Sequence, residues 1–332
     1  MKSILRRVLG HKNFALVLIL VAIIVFFQVI SGATYLTKVN IRNILNHTAV
    51  VALLSIGAGF LIISGYIDLS AGYVGTLCGM LVADLIVNRG VPWYLAFLIT
   101  LVLAMIVGVI NATLVHKLGF QAFIATIAMG SVCEGLSYAI SAGRTITIKN
   151  AAFNSIGTSR ILNIVPSSVI FAVVALIVYG LILSKTKFGR KMFIIGGNPQ
   201  AARLTGLNPV KISYILFVNN AALSCIAGCL VASRIKGGSI AGITSQNFAG
   251  ITAAILGGIS FSGGTGSVTG ITIGLLIISS FNNGLTVMRV ESQWSQVASG
   301  ALLVIALVVD YFLSAKPKLK RRKAPKAGVL KV

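Results

Sequence analysis

The chain has 332 residues, 57% of them hydrophobic, and only five acidic side chains (Asp68, Asp84, Glu134, Glu291 and Asp310) against 28 lysines and arginines, for a formal charge of +23. Charged residues make up 10% of the chain, where a soluble domain has about a quarter. Too little polar surface remains to face water on all sides, which excludes a soluble globular fold and leaves an integral membrane protein.

The apolar residues come in runs rather than stripes. A hydrocarbon core of ~30 Å takes about 20 helical residues, and Phe14 to Ile30 is an uncharged run that meets this length or nearly so. Lys2, Arg6, Arg7 and Lys12 precede it, as in a secretory signal. The run is longer than a typical signal core and lacks a small-x-small exit, so it reads as a retained first helix. Further spans are expected near residues 46–64, 67–87, 93–115, 120–141, 165–184, 212–233, 247–262, 267–288 and 292–313. An unpaired backbone group costs several kcal/mol in lipid, and runs of this length exceed the ~10 residues of a barrel strand. The expected fold is all-α and polytopic, with about ten transmembrane helices.

Lysines and arginines are retained on the cytoplasmic side of membrane proteins. With the N-terminus inside, 19 of them fall in cytoplasmic segments and nine in external ones, so both termini are expected in the cytoplasm. The layout is a single transmembrane domain over residues 1–313, a cytoplasmic loop over 185–211 and a basic tail over 314–332. The tail cluster Lys320-Arg321-Arg322-Lys323 could neutralise nucleic-acid phosphates. Beside a final membrane helix it reads instead as a contact for anionic lipid headgroups. Cys78, Cys133, Cys225 and Cys229 all fall inside expected spans and read as small packing residues. His11, His47 and His116 read as interfacial residues at helix ends. No phosphate-binding loop and no nucleophile-base-acid spacing is present, so no hydrolytic site and no cofactor is expected in this chain.

The loop over 185–211 carries Ala201-Ala202-Arg203-Leu204 after Asn198-Pro199. Asn198 can cap a helix, Pro199 suits its first turn and Gly206 its stop, so a short helix is expected there. Such a helix is too short to stand alone and must pack against something. It serves either as a plain topogenic loop or as a docking element for another protein. Farther on, Gly266, Gly270 and Gly274 recur every four residues, which lets a neighbouring helix approach closely. Gly257-Gly258 and Gly263-Gly264 mark either a broken helix or a tight turn. Residues 65–72 (GYIDLSAG) resemble residues 257–264 (GGISFSGG) at an offset of 192, which pairs two spans running in the same direction and suggests an internal duplication.

Four blocks resemble a known family. Ile67-Asp68-Leu69-Ser70-Ala71-Gly72 resembles a DLS-x-G signature, and Phe123-Ile124-Ala125-Thr126 an F-I-A-T block after an Asn-containing helix, here Asn111. The segment from Gly197 to Gly206 is similar to a cytoplasmic G-N-x-x-A-A-x-x-x-G element. Ala253 to Gly258, Ser262 to Gly266 and Asn283-Gly284-Leu285 are similar to a C-terminal signature. The blocks are those of permease subunits of ribose-type monosaccharide ABC importers, in the larger group that includes branched-chain amino acid permeases. The chain departs from the pattern at Gln121-Ala122, Ala112 and Asn247-Phe248. The resemblance implies a bacterial inner-membrane permease without its own ATPase site. Its implied partners are cassette ATPase subunits holding ATP and Mg, an extracytoplasmic sugar-binding protein and a second permease subunit.

On that reading Gly197, Asn198, Pro199, Ala201, Ala202, Arg203 and Gly206 form the ATPase-coupling element. Polar residues at membrane depth are candidates for the solute path, because amides both donate and accept hydrogen bonds. They are Asn111, Gln121, Asn219, Asn220, Asn282 and Asn283, each of which could instead pair across helices. Asp68, Ser70 and Gly72 form a signature turn, where capping suits Asp68 better than sugar contact. The alternative is an ion-coupled secondary transporter of a small polar solute, for which Glu134 is the suitable ionisable residue. A lipid-modifying enzyme would need a catalytic constellation, and none is present.

Overall fold

The computed structural model describes residues 12–161 and 165–314. The basic tail and His11 lie outside the described residues. The described residues form thirteen helices: α1 (Lys12–Ile30), α2 (Lys38–Ile63), α3 (Ala71–Val87), α4 (Trp93–His116), α5 (Ala122–Ser141), α6 (Ala151–Thr158), α7 (Ser167–Lys185), α8 (Lys187–Gly197), α9 (Pro199–Leu204), α10 (Pro209–Ile235), α11 (Gln246–Leu256), α12 (Val268–Val287) and α13 (Ser292–Ser314). Six of them, α2, α4, α5, α7, α10 and α12, are long and apolar enough to cross a membrane, and α1, α3 and α13 carry shorter apolar stretches. The chain is an all-α, multi-pass membrane protein.

The centre of the fold is α2 and α10. Their most apolar stretches are 83% and 72% buried within the protein, against 17–33% for α4, α5 and α7, which form the periphery. Glycines let the central helices touch backbone to backbone, since there is no hydrophobic drive between helices in lipid and close dispersion contact replaces it. A methyl group on Gly228 of α10 would overlap the Gly75 carbonyl of α3, and one on Gly270 of α12 would overlap the Gly257 carbonyl at the end of α11. The expected close approach at Gly270 and Gly274 is thus made with α11, while Gly266 lies in the preceding turn.

Several boundaries differ from expectation. α2 begins at Lys38 rather than near 46, because its first turns (KVNIRNIL) are amphipathic and invisible to an apolar-run reading. α3 begins at Ala71 because residues 64–70 are not helical. α11 has 11 residues, about half a hydrocarbon core at ~1.5 Å per residue, and the glycines after it form a tight turn. In that turn Gly263 N–H donates to Ser260 O (2.9 Å), and Asp310 Oδ2 accepts from Phe261 N–H (2.9 Å). His47 sits ten residues inside α2, with Nδ1 3.4 Å from Ser279 Oγ, and not at a helix end.

The resemblance between residues 65–72 and 257–264 carries into the backbone in a register shifted by one residue. Tyr66 N–H donates to Leu61 O and Ile259 N–H donates to Ala254 O, with Gly65 and Gly258 each at φ +85°. Only glycine takes that left-handed φ freely, so Gly65 aligns with Gly258 at an offset of 193.

The segment between α5 and α7 is more structured than a loop. It holds α6, a short antiparallel ladder of Arg160–Ile161 (β2) with Val165–Pro166 (β3), and Ile146–Thr147 (β1), which pairs with Gly237–Gly238 (β4) beyond α10. Ser233 of α10 clamps α6, accepting from Gly157 N–H and donating to Phe153 O, both at 2.7 Å.

Substituting Gly228→Leu is expected to lower folding stability by about 3 kcal/mol or to abolish folding, since the neighbouring backbone cannot yield. Gly300→Ala, at a site open on all sides, should be neutral or stabilising by up to ~1 kcal/mol. Thermal unfolding in detergent followed by size-exclusion chromatography distinguishes them; equal melting of the two variants would contradict the backbone contact.

Candidate functional site

Residues 64–70 are non-helical backbone running between two membrane helices, and Asp68 and Ser70 within them are 3% and 1% exposed. Lipid supplies no hydrogen bonds, so this backbone must be satisfied by protein. Four helices do so. Thr126 Oγ1 of α5 accepts from Leu69 N–H (3.0 Å), Asn247 Nδ2 of α11 donates to Leu69 O (2.8 Å), and Asn247 Oδ1 accepts from Gly72 N–H (3.1 Å). From α10, Asn220 Nδ2 donates to Asp68 Oδ2 (2.9 Å), and from α4, Asn111 Nδ2 donates to Ser70 Oγ (3.0 Å).

Asp68 is the centre of this arrangement. A buried carboxylate costs several kcal/mol unless hydrogen bonds replace its water. Here Ser70 N–H (2.8 Å) and Ser70 Oγ (2.6 Å) donate to Oδ1 and Asn220 donates to Oδ2. All three donors are uncharged. The carboxylate also lies at the N-terminal end of α3, where the helix dipole favours negative charge. Asp68 thus makes a turn with Ser70, the N-cap residue of α3, and does not cap the helix itself. Asn220 reaches it only because Gly57 of α2 has no side chain; a methyl group there would overlap Asn220 Oδ1. The outer amide oxygens of Asn111 and Asn220 are buried and have no hydrogen-bond partner.

Of the residues read from the sequence, Asn111, Asn220, Asp68, Ser70 and Gly72 come together here. The others do not. Asn219 accepts a hydrogen bond from Tyr179 of α7, and Asn282 Oδ1 accepts from Ser299 of α13 (3.0 Å). Asn283 is half-buried, and Gln121 is exposed at the N-terminal cap of α5 without capping it. Glu134 lies on the exposed face of α5. Asn247 and Tyr66 were not among the candidates, although an amide in an apolar stretch is the signal that marked Asn220. Tyr66 packs edge-on to His116 (ring centroids 5.4 Å), whose Nε2 is 2.7 Å from Ser213 Oγ.

The loop over 185–211 holds two helices where one was expected. Asn198 Oδ1 accepts from Gln200 N–H (3.1 Å) and Ala201 N–H (3.0 Å), Pro199 occupies the first turn of α9, and Gly206 leaves it at φ +77°. Ala202 is fully buried, whereas Leu204 is 91% exposed. The preceding α8 buries Met192 and Ile195, and a methyl group on Gly196 would overlap the Ile63 carbonyl. That carbonyl accepts from Gly264 N–H (2.8 Å). α8, the turn after α11 and the end of α2 thus meet at Ile63, five residues before Asp68.

A family model described as branched-chain amino acid transport system / permease component matches residues 40–307. The ribose import permease protein of Haemophilus influenzae is 34% identical over 316 residues, covering 94% of this chain and 96% of that one. That of Bacillus subtilis is 35% identical over 295 residues, covering 88% and 91%. The L-arabinose transport system permease protein of Escherichia coli is 30% identical over 304 residues, covering 92% and 91%. The matched residues include the whole network from Asp68 to Asn247 and both α8 and α9.

Asn220→Asp alone, facing Asp68, is expected to destabilise strongly, and Asp68→Asn alone by about 1.5–3 kcal/mol, the worth of hydrogen bonds to a charged group. The exchange of both should recover more than half of the summed loss. A thermal-unfolding double-mutant cycle measures this; additivity of the two losses would show that the pair does not interact.

Proposed function

This chain belongs to the family of branched-chain amino acid transport system permease components, and we propose that it is the membrane-spanning subunit of an ATP-binding cassette importer for a monosaccharide or related small polar solute. Full-length similarity to permeases named for ribose, xylose and L-arabinose supports the solute class. ATP and Mg bind on separate cassette subunits, an extracytoplasmic sugar-binding protein delivers the solute, and a second permease subunit completes the path. In this reading α1–α5, α7, α10, α12 and α13, with the half-length α11 and its flanking residues, make the ten crossings of a domain over residues 1–313 in the bacterial inner membrane. Both termini are cytoplasmic, and the tail over 314–332 meets lipid headgroups.

The observation that carries the reading is the construction of α9. A helix of six residues is held rigidly by Asn198 and by buried Ala202, yet presents Leu204 almost wholly to solvent. A leucine so displayed on a held helix offers apolar surface for a partner to bury. Through α8 the same unit rests on Ile63, where the chain turns into the segment carrying Asp68. A partner can drive the permease only if its nucleotide states bind the two membrane states unequally. Contact at α9 would act on the end of α2 and on the turn after α11 together.

For the solute, Asn111 keeps a buried acceptor oxygen without a partner, which suits the hydroxyl donors of a sugar. Asn219 with Tyr179 is a second polar pair on α10, facing α7.

Because Ala202 is fully buried, a bulky charge there would test folding rather than docking. Leu204→Asp is the cleaner variant. It should leave the melting temperature nearly unchanged, as a surface substitution within ~0.5 kcal/mol. It should lower ATP-driven uptake by the reconstituted importer at least about tenfold, the effect of losing ~1.4 kcal/mol at a contact. Uptake at the native rate would refute the role of α9.

A further inference from the structure

A groove of about 770 Å³ runs between α7, α8 and the start of α12. Its walls are apolar, formed by Ile177, Leu181, Phe193 and Val268, and one end is polar, with Ser184, Ser267 and Thr269. Val173 and Ser184 both line it, eleven residue steps apart on α7. At ~1.5 Å per residue that is about 16 Å, close to one leaflet of a ~30 Å hydrocarbon core.

Exposed cations lie next in sequence to its lining residues. Lys185 follows Ser184 directly, and Lys187, Arg190 and Lys191 of α8 are all exposed. Arg190 is three residues before Phe193, so the two are neighbours on the helix surface. No acidic residue occurs between Glu134 and Glu291, so nothing on α7 to α12 neutralises this charge. We propose that the groove is a binding site for an anionic phospholipid, with one acyl chain along α7 and the phosphate at Lys185 and Arg190. A second copy of the chain fits less well. A two-fold contact through this surface would set one basic mouth against another, and like charges facing each other oppose association.

Native mass spectrometry of the full chain, titrated with phosphatidylglycerol or phosphatidylcholine, tests the site. One phosphatidylglycerol per chain should be retained, at least about tenfold more tightly than phosphatidylcholine. The surface variant Lys185→Gln/Arg190→Gln should lose that preference by about fivefold per charge removed, the fold-change equivalent of ~1 kcal/mol per basic residue. Gly180 lies on the groove floor with space for a Cβ 3.7 Å from Val268, so Gly180→Phe should fill the groove and abolish retention of either lipid. Equal retention of both lipids by the native chain and the charge variant would overturn the proposal. So would oxidative cross-linking of Ile177→Cys chains into dimers in native membranes, which would put a second copy in the groove.

Discussion

A carboxylate and five neutral amides or hydroxyls, buried together, hold the non-helical segment between two membrane helices. Asp68 accepts from Ser70 and Asn220, while Asn111, Thr126 and Asn247 close the remaining polar valences of residues 69–72. In water any of these bonds would be worth about 1 kcal/mol, because solvent competes for both partners. At membrane depth the alternative is an unpaired backbone group costing several kcal/mol, so the set stands or falls as a unit. It joins α4, α5, α10 and α11 to the chain between α2 and α3.

The rest of the architecture serves that junction. Gly57 makes room for the Asn220 amide, and the contact of Gly228 with Gly75 draws α10 against α3. α11, only half a core long, starts at the level where Asn247 meets Gly72 and ends beside Ile63, where α8 rests. A polar cluster inside and a helical handle outside are therefore linked by one turn of backbone rather than by a long relay. Such linkage is physical contact; energetic coupling through it follows only if the junction has two arrangements that a partner distinguishes.

Much of this was legible in the residues. Each of the ten apolar runs coincides with a helix, and Asn198-Pro199 with Gly206 set the ends of α9. What stayed hidden has common causes. The break at 64–70 is masked by Ile67 and Leu69, which continue an apolar pattern although the backbone is not helical. The shortness of α11 is masked in the same way by the apolar residues around Gly257-Gly258. α8 and the first turns of α2 are amphipathic, so a search for uncharged runs passes over them. Asn111 and Asn220 were legible as polar residues at depth, but that they bind the Ser70 and Asp68 side chains of the signature turn depends on the packing of distant segments. Asn282, Asn283 and Gln121 carry the same residue types and lie elsewhere, because amide identity says nothing about which face of a helix is turned inward.

Amide hydrogen exchange across residues 64–72 in the assembled importer tests the central claim most directly. Held by Thr126 of α5, by Asp68 and by Asn247 of α11, the Leu69, Ser70 and Gly72 N–H groups should exchange as slowly as those in the middle of α10 in the resting complex, and faster when the cassette subunits bind ATP. Exchange at rest as rapid as in the exposed turn over 31–34, or rates indifferent to the nucleotide, would contradict it.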